Sequence, residues 1–180
     1  MVWLFIVKCL YLMVPAYAAN MAPVMFRNHF KPLAIPVDFG VKFRGQPLLG
    51  PHKTIRGFVA GVALAIAVSF LQFLLKDNPF IVSISLIEYG NWMMVGLLLG
   101  SGALLGDMAK SVVKRQFKIP SGSPFIPFDQ LDFAVGALAF MSIAQSISLQ
   151  VILSSMALSF FLHIATNHVA YWLKIRKEKW

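Results

Sequence analysis

Charge is scarce in this chain. Asp, Glu, Lys and Arg make up 13% of its 180 residues, about half the usual share for a soluble globular protein. A water-facing globule covers itself with such side chains, and this sequence does not hold enough of them. Its 58% of hydrophobic residues suits a molecule whose solvent is lipid. Acids are scarcer still, seven against 16 Lys plus Arg, for a net charge of +9. In a soluble protein that excess would point to nucleic acid. Here the basic residues fall between hydrophobic runs, so the positive bias of cytoplasmic loops and their attraction to anionic headgroups account for them, with no nucleic-acid partner. There is one cysteine, Cys9. It excludes an intrachain disulfide and, inside an apolar run, reads as a small apolar side chain.

Several catalytic signatures are missing too. There is no HExxH, and His163 and His168 are five apart rather than four. There is no GxSxG, and the serines between 142 and 159 read as helix-contact residues. Gly45 and Gly50 precede Lys53 and Thr54, but a Walker loop needs its lysine directly after the second glycine, where Pro51 and His52 stand. His52, beside Lys53, is the histidine to watch.

What the sequence does contain is a series of long hydrophobic runs. They predict an all-α, polytopic integral membrane protein, one domain over 1–180, with about five spans and two functional cytoplasmic loops. The spans are Val2 to Val24, Gly57 to Leu75, Asn91 to Gly106, Leu131 to Leu149, and 150–173. The first run resembles a signal peptide, with small residues from Ala16 to Ala19. A signal peptide carries its positive charge before the apolar core, whereas Lys8 lies within it, so the first run reads as a retained helix. Asn20 and Pro23 mark a place where that helix can break. Residues 25–56 form a Phe-rich, proline-interrupted loop that either lies along the membrane surface or folds back on the bundle. Residues 80–90, apolar but containing Glu88, are either an interfacial helix or the start of the third span. Gly57 and Gly61, four apart, have the spacing for close helix contact.

Orientation follows from charge. Loop 25–56, loop 107–130 and the tail from Lys174 hold fourteen of the 16 basic residues. Five spans put all three on one side, which the positive-inside bias makes the cytoplasm of a multi-pass cell-membrane protein, with the N-terminus outside.

Three of the seven acids, Asp107, Asp129 and Asp132, fall at cytoplasmic span ends. Asp107, Lys110, Ser111 and Lys114 share one helical face, because offsets of three and four stack. Asp107 there is either a ligand or half of an ordinary ion pair with Lys110 or Lys114. Asp129 and Asp132 are three apart, and on a helix both carboxylates face the same way. Like charges held close repel unless a cation joins them. The alternative is capping of free backbone N–H groups at a helix start. Beside a basic loop the pair suits Mg²⁺, which takes a few carboxylates together with phosphate and water oxygens. Lys110, Lys114 and Arg115 flank the acids, and Lys53 and Arg56 approach from the other loop. Metal and fixed cations together are what phosphoryl transfer uses to hold spreading negative charge.

The ordered segments "NMAP" at 20–23, "PVDFG" at 36–40, "FRGQPLLGPHKTIRGFVAG" at 43–61, "GDMAKSVVKR" at 106–115 and "PFDQLDF" at 127–133 resemble the CDP-archaeol synthase family. These are small membrane CTP transferases related in mechanism to the CDP-diacylglycerol synthases. Ser111 to Arg115, followed by the paired aspartates, is also similar to the signature region of the phosphatidate cytidylyltransferases. The resemblance implies transfer of a cytidylyl group from CTP to a membrane lipid phosphate, with release of pyrophosphate. It implies a Mg²⁺-dependent site, with Mn²⁺ as a substitute. Asp129 and Asp132 would be the metal pair, supported by Asp107. Lys53, Lys110, Lys114 and Arg115 would hold phosphates, and Asn20, Asp38, Thr54 and Ser111 would orient ligands or loops. The acceptor, an archaeal ether lipid or a bacterial lipid phosphate, is left open, as is a homodimer. The other readings are a non-catalytic lipid-binding scaffold and a small transporter. Transport sites usually lie near the midplane, whereas these polar clusters sit at one face.

Overall fold

Small residues decide how the helices meet. In a computed structural model that describes residues 2–120, 123–172 and 174, helix α1 (Val2–Met25) buries Ala16, Ala19 and Ala22. Ala19 and Pro23 face α2 (Ile55–Leu74) at Gly61 and Gly57. A β-carbon on Gly61 would stand 2.9 Å from the Ala19 carbonyl oxygen, and one on Gly57 would stand 3.2 Å from Cβ of Pro23. The glycine spacing read from the sequence is therefore a close crossing of α1 and α2. Pro15 and Pro23 lie inside α1 without ending it. In apolar surroundings a broken helix would leave backbone groups without water to bond, so the helix continues past the expected break.

Thr54 caps α2 by accepting a hydrogen bond from Gly57 N at 3.2 Å. After α2, Asn78 caps the short helix α3 (Pro79–Ile84), with Pro79 in the first turn. Residues 85–91 then turn back toward α4 (Trp92–Gln116), which carries the predicted third span well past Gly106. The 80–90 region is thus a short helix and a turn. Glu88 is exposed there, and its backbone N–H and C=O both bond the Gln145 side chain, at 3.3 and 3.2 Å.

Helix α5 (Phe128–Ala144) and helix α6 (Leu149–Trp172) follow. Their connection lies at 145–148, before the turn expected near Leu149. Most of the basic tail lies outside the described residues.

Among the described residues, four stretches are long and apolar enough to cross a membrane: α1, α2, α4 and Leu149–Val169 within α6. Helix α5 has 17 residues, about 26 Å at 1.5 Å per residue, a little short of a bilayer core of about 30 Å. It packs against α4 as the fifth long helix of the bundle. The chain is an all-α, multi-pass membrane protein. Its only strands among the described residues are β1 (Lys42–Phe43) and β2 (Gln46–Pro47), a small antiparallel hairpin between α1 and α2.

Candidate active site

The carboxylates singled out by the sequence come from two helices that cross with almost no side-chain volume between them. Gly106 of α4 lies directly on the backbone of Asp132 in α5, and Gly102 on that of Gly136. This contact sets Asp107 and Lys110 of α4 against Asp129 and Asp132 in the first turns of α5. Lys110 is the centre of the group. Its Nζ lies 3.2 Å from Asp107 Oδ1, 2.8 Å from Asp129 Oδ1 and 2.6 Å from Asp132 Oδ2. Lys53, delivered by the loop before α2, pairs with the other oxygen of Asp107. Lys114, one turn beyond Lys110, is buried; it lies 3.3 Å from Asp129 and donates to the Ser123 carbonyl. The result is three carboxylates interleaved with three ammonium groups, largely withdrawn from water.

Neither aspartate caps α5. Its N-cap is Pro127, with no side-chain hydrogen bond. Asp129 Oδ2 accepts from Phe125 N at 2.6 Å, outside the helix, and Asp132 Oδ1 accepts from Phe133 N at 2.6 Å. Asp132 Oδ2 is buried and meets the Lys110 ammonium at 2.6 Å. A hard oxygen held this way suits a cation. Among the described residues no preformed cage of His, Cys, Asp and Glu is present. That is compatible with Mg²⁺, which binds through one or two carboxylates and completes its shell with phosphate and water.

Two open apolar cavities, of about 620 and 650 Å³, flank this group and share Lys110 and Phe128 in their walls. Val113, Phe117 and Phe125 line the first. Leu105, Val135 and Phe140 line the second, which also reaches Asp132. Phe125 and Phe128 stack with ring centroids 4.7 Å apart. A charged cluster therefore opens onto apolar volume in a membrane helix bundle.

The remaining predicted residues have other partners. Ser111 donates to the Asp107 carbonyl one turn back at 2.8 Å. Arg115 has a buried Nε without a hydrogen bond. Thr54 caps α2, Arg56 donates to the His29 carbonyl at 3.0 Å, and Asn20 is half-buried near the C-terminal end of α1. Asp38 organises the loop. Its carboxylate accepts from the N–H groups of Gly40, Leu49 and Gly50, at 3.1, 2.8 and 3.3 Å. Burial acts to raise its pKa, but these bonds to the charged form outweigh burial and hold the group below the usual carboxylate range. Val37 N donates to Lys53 O at 2.8 Å and Ile55 N to Ile35 O at 2.9 Å, so the loop Asp38 fastens is the one that presents Lys53. His52 is exposed.

Sequence reasoning took Lys110 for a phosphate ligand and missed that it is the shared counter-ion of three aspartates. The spacing of Asp107 and Lys110 was the available signal, but α4 and α5 had to be docked before the second and third partners became visible. It also passed over Gly102, Gly106 and Gly136, although Gly102 and Gly106 repeat the four-residue spacing noted at Gly57 and Gly61.

Comparison with known proteins gives the family. The family model described as "CarS-like: CDP-archaeol synthase" matches residues 2–180. A CDP-archaeol synthase of Pyrobaculum islandicum is 33% identical, over 92% of this chain and 93% of its own length. One from Archaeoglobus fulgidus is 32% identical, over 97% of this chain and 98% of its own. A solved structure of an intramembrane enzyme for archaeal membrane lipids biosynthesis is 36% identical and superposes with a TM-score of 0.70, over 87% of this chain and 90% of its own. With a match along nearly its whole length, this chain belongs to the CDP-archaeol synthase family of membrane enzymes.

Proposed function

We propose that this chain transfers the cytidylyl group of CTP to the phosphate of an unsaturated, ether-linked archaeal glycerol lipid, giving a CDP-lipid and pyrophosphate. The observation that carries this reading is the Lys110 cluster itself: a carboxylate and ammonium group that shares its walls with two apolar cavities among membrane helices. Such a place receives a polar headgroup and its chains together. The apolar chains lie along the α4–α5 cavities, and the headgroup meets water-soluble CTP at their polar end.

An oxygen of the lipid phosphate attacks the α-phosphorus of CTP. The bond from that phosphorus to the bridging oxygen breaks, and pyrophosphate leaves with the electron pair. No protein nucleophile is needed, and a lipid phosphate largely ionised near neutral pH needs no obligatory general base. Lys53, Lys110, Lys114 and Arg115 supply fixed positive charge for phosphate oxygens. Asp129, Asp132 and Asp107 would hold Mg²⁺, or Mn²⁺ in its place. Bound there, the metal would offset repulsion among the triphosphate oxygens. Asp38 and Thr54 shape the loop bearing Lys53, while Asn20, Arg56 and Ser111 border the same end of the bundle. The bilayer fixes the depth of one substrate, which removes part of the entropy of encounter.

The site and the C-terminus face the cytoplasm, where CTP is available, and the N-terminus faces outside. The clustering of fourteen of the 16 basic residues in three regions supports this orientation. In sealed vesicles, single cysteines at Asp77 and Lys118 would label from opposite sides; labelling from the same side overturns it.

Purified protein incubated with Mg²⁺, CTP or ATP, and a panel of lipid phosphates tests the reaction. Pyrophosphate release is expected with CTP and to be fastest with the ether lipid. Equal rates with ATP and CTP would remove the assignment.

A further inference from the structure

The loop between α1 and α2 presents large apolar side chains that the described residues leave uncovered. Phe39 is 74% exposed, Val41 55% and Phe43 52%. They are not on a loose strand. Phe39 and Arg44 have positive φ, next to Gly40 and Gly45, and Asp38 ties the turn through its backbone bonds. Val41 and Phe43, two apart along the extended first arm of the hairpin, emerge on one side. The exposed charges around them are all basic: Arg27, Lys31, Lys42 and Arg44, with the Arg44 guanidinium 5.4 Å from the centre of the Phe43 ring. The one acid between residues 26 and 47, Asp38, is buried and fully used by backbone donors. Both stems of the loop are membrane-crossing helices, α1 ending at Met25 and α2 starting at Ile55, so the loop leaves and returns at one end of the bundle.

We propose that this hairpin docks on the anionic headgroup surface of the protein's own bilayer, with Phe39, Val41 and Phe43 entering the headgroup–acyl boundary and Lys42 and Arg44 meeting lipid phosphates. Aromatic and aliphatic side chains interleaved with basic ones are the chemistry of an interfacial segment. Long basic side chains keep their charge at phosphate level while their stems lie on apolar surface. A second copy of the chain is the poorer occupant, because it would bring one basic loop against another. Docking would hold the loop carrying Lys53 at headgroup depth, beside the Asp107 it pairs with.

The test reads membrane contact and not activity, so it stands apart from the catalytic reading. Phe39→Cys and, separately, Phe43→Cys are made in a Cys9→Ala background, labelled with a nitroxide, and reconstituted into vesicles of phosphatidylglycerol or of phosphatidylcholine. Collision with oxygen, which partitions into lipid, is compared with collision with an aqueous nickel complex. Expected in the anionic vesicles is a several-fold lower nickel accessibility at both positions than at an Asp77→Cys reference, whose native side chain is 87% exposed. Neutralising Lys42→Gln with Arg44→Gln should remove the difference between the two lipids. Accessibility equal to the reference in both lipids overturns the proposal, as does spin–spin broadening between copies. A lipid difference that survives the double neutralisation overturns its electrostatic half.

Discussion

A β-carbon added to Gly102 would stand 2.5 Å from the carbonyl oxygen of Gly136. The two glycines are reciprocal: each lies on the other's backbone, and Gly106 repeats the contact one turn further on against Asp132. This is how α4 and α5 approach closely enough for one lysine to reach aspartates on both helices. Without a hydrophobic force between helices in lipid, such backbone contact is a main source of association.

Gly102→Ala or Gly136→Ala is therefore expected to destabilise the bundle by about 3 kcal/mol, the upper end of ordinary overpacking, because backbone and not a movable side chain is in the way. Activity should fall with it. Gly90→Ala, where an added β-carbon meets nothing within 4 Å, is the control. Thermal unfolding in detergent measures both, and equal midpoints for all three variants would contradict the crossing.

Asp129→Asn and Asp132→Asn should separate a metal role from a structural one. Neither side chain bonds a helical N–H of the first turn in the manner of a cap, so the loss of stability from capping should be below about 1 kcal/mol. Activity is expected to collapse in both while the protein stays monodisperse, with partial recovery at high Mg²⁺ or Mn²⁺. Folded variants with near-normal rates at limiting Mg²⁺ would leave Asp107 as the remaining acidic candidate.

Lys110→Met removes the ammonium shared by three carboxylates. Breaking a buried ion pair from one side typically costs about 3–5 kcal/mol, since the partner charges are left uncompensated. The variant should unfold at lower temperature, and added Mg²⁺ should raise its midpoint more than that of the parent, since a divalent cation can take over the charge. If Mg²⁺ shifts neither protein, the carboxylates do not gather a metal.

Asp38 gives the loop a pH dependence. Its folded pKa is depressed, so its contribution is complete above the unfolded value of about 3.9 and disappears as pH falls through the lower folded value. Hydrogen exchange at the Leu49 and Gly50 amides, followed down a pH series and corrected for intrinsic rates, should show protection lost in that acid window. Asp38→Asn should exchange rapidly at every pH and weaken activity through the misplaced Lys53. Unchanged protection in Asp38→Asn would show that the turn holds without the carboxylate.

The sequence by itself determined the solvent of this protein, its helical class and the end of the bundle where three of its seven acids gather. Those properties are local or compositional. A run such as Gly57 to Leu75 is apolar enough to span whatever its neighbours do, and Asp107, Asp129 and Asp132 stand out because acids are so few. The extension of α4 to Gln116 was half legible: hydropathy ends the span at Gly106, while the offsets of Asp107, Lys110 and Lys114 keep a helical face. Only the tertiary structure decided the charge pairings. Lys53 meets Asp107 across 54 residues of chain and Lys114 meets Asp129 across 15, separations that no helical period encodes. The apolar cavities at Phe117, Phe125 and Phe128 likewise exist only once α4 and α5 cross. That crossing depends on what is missing at Gly102, Gly106 and Gly136, a fit between two surfaces that becomes defined when both are in place.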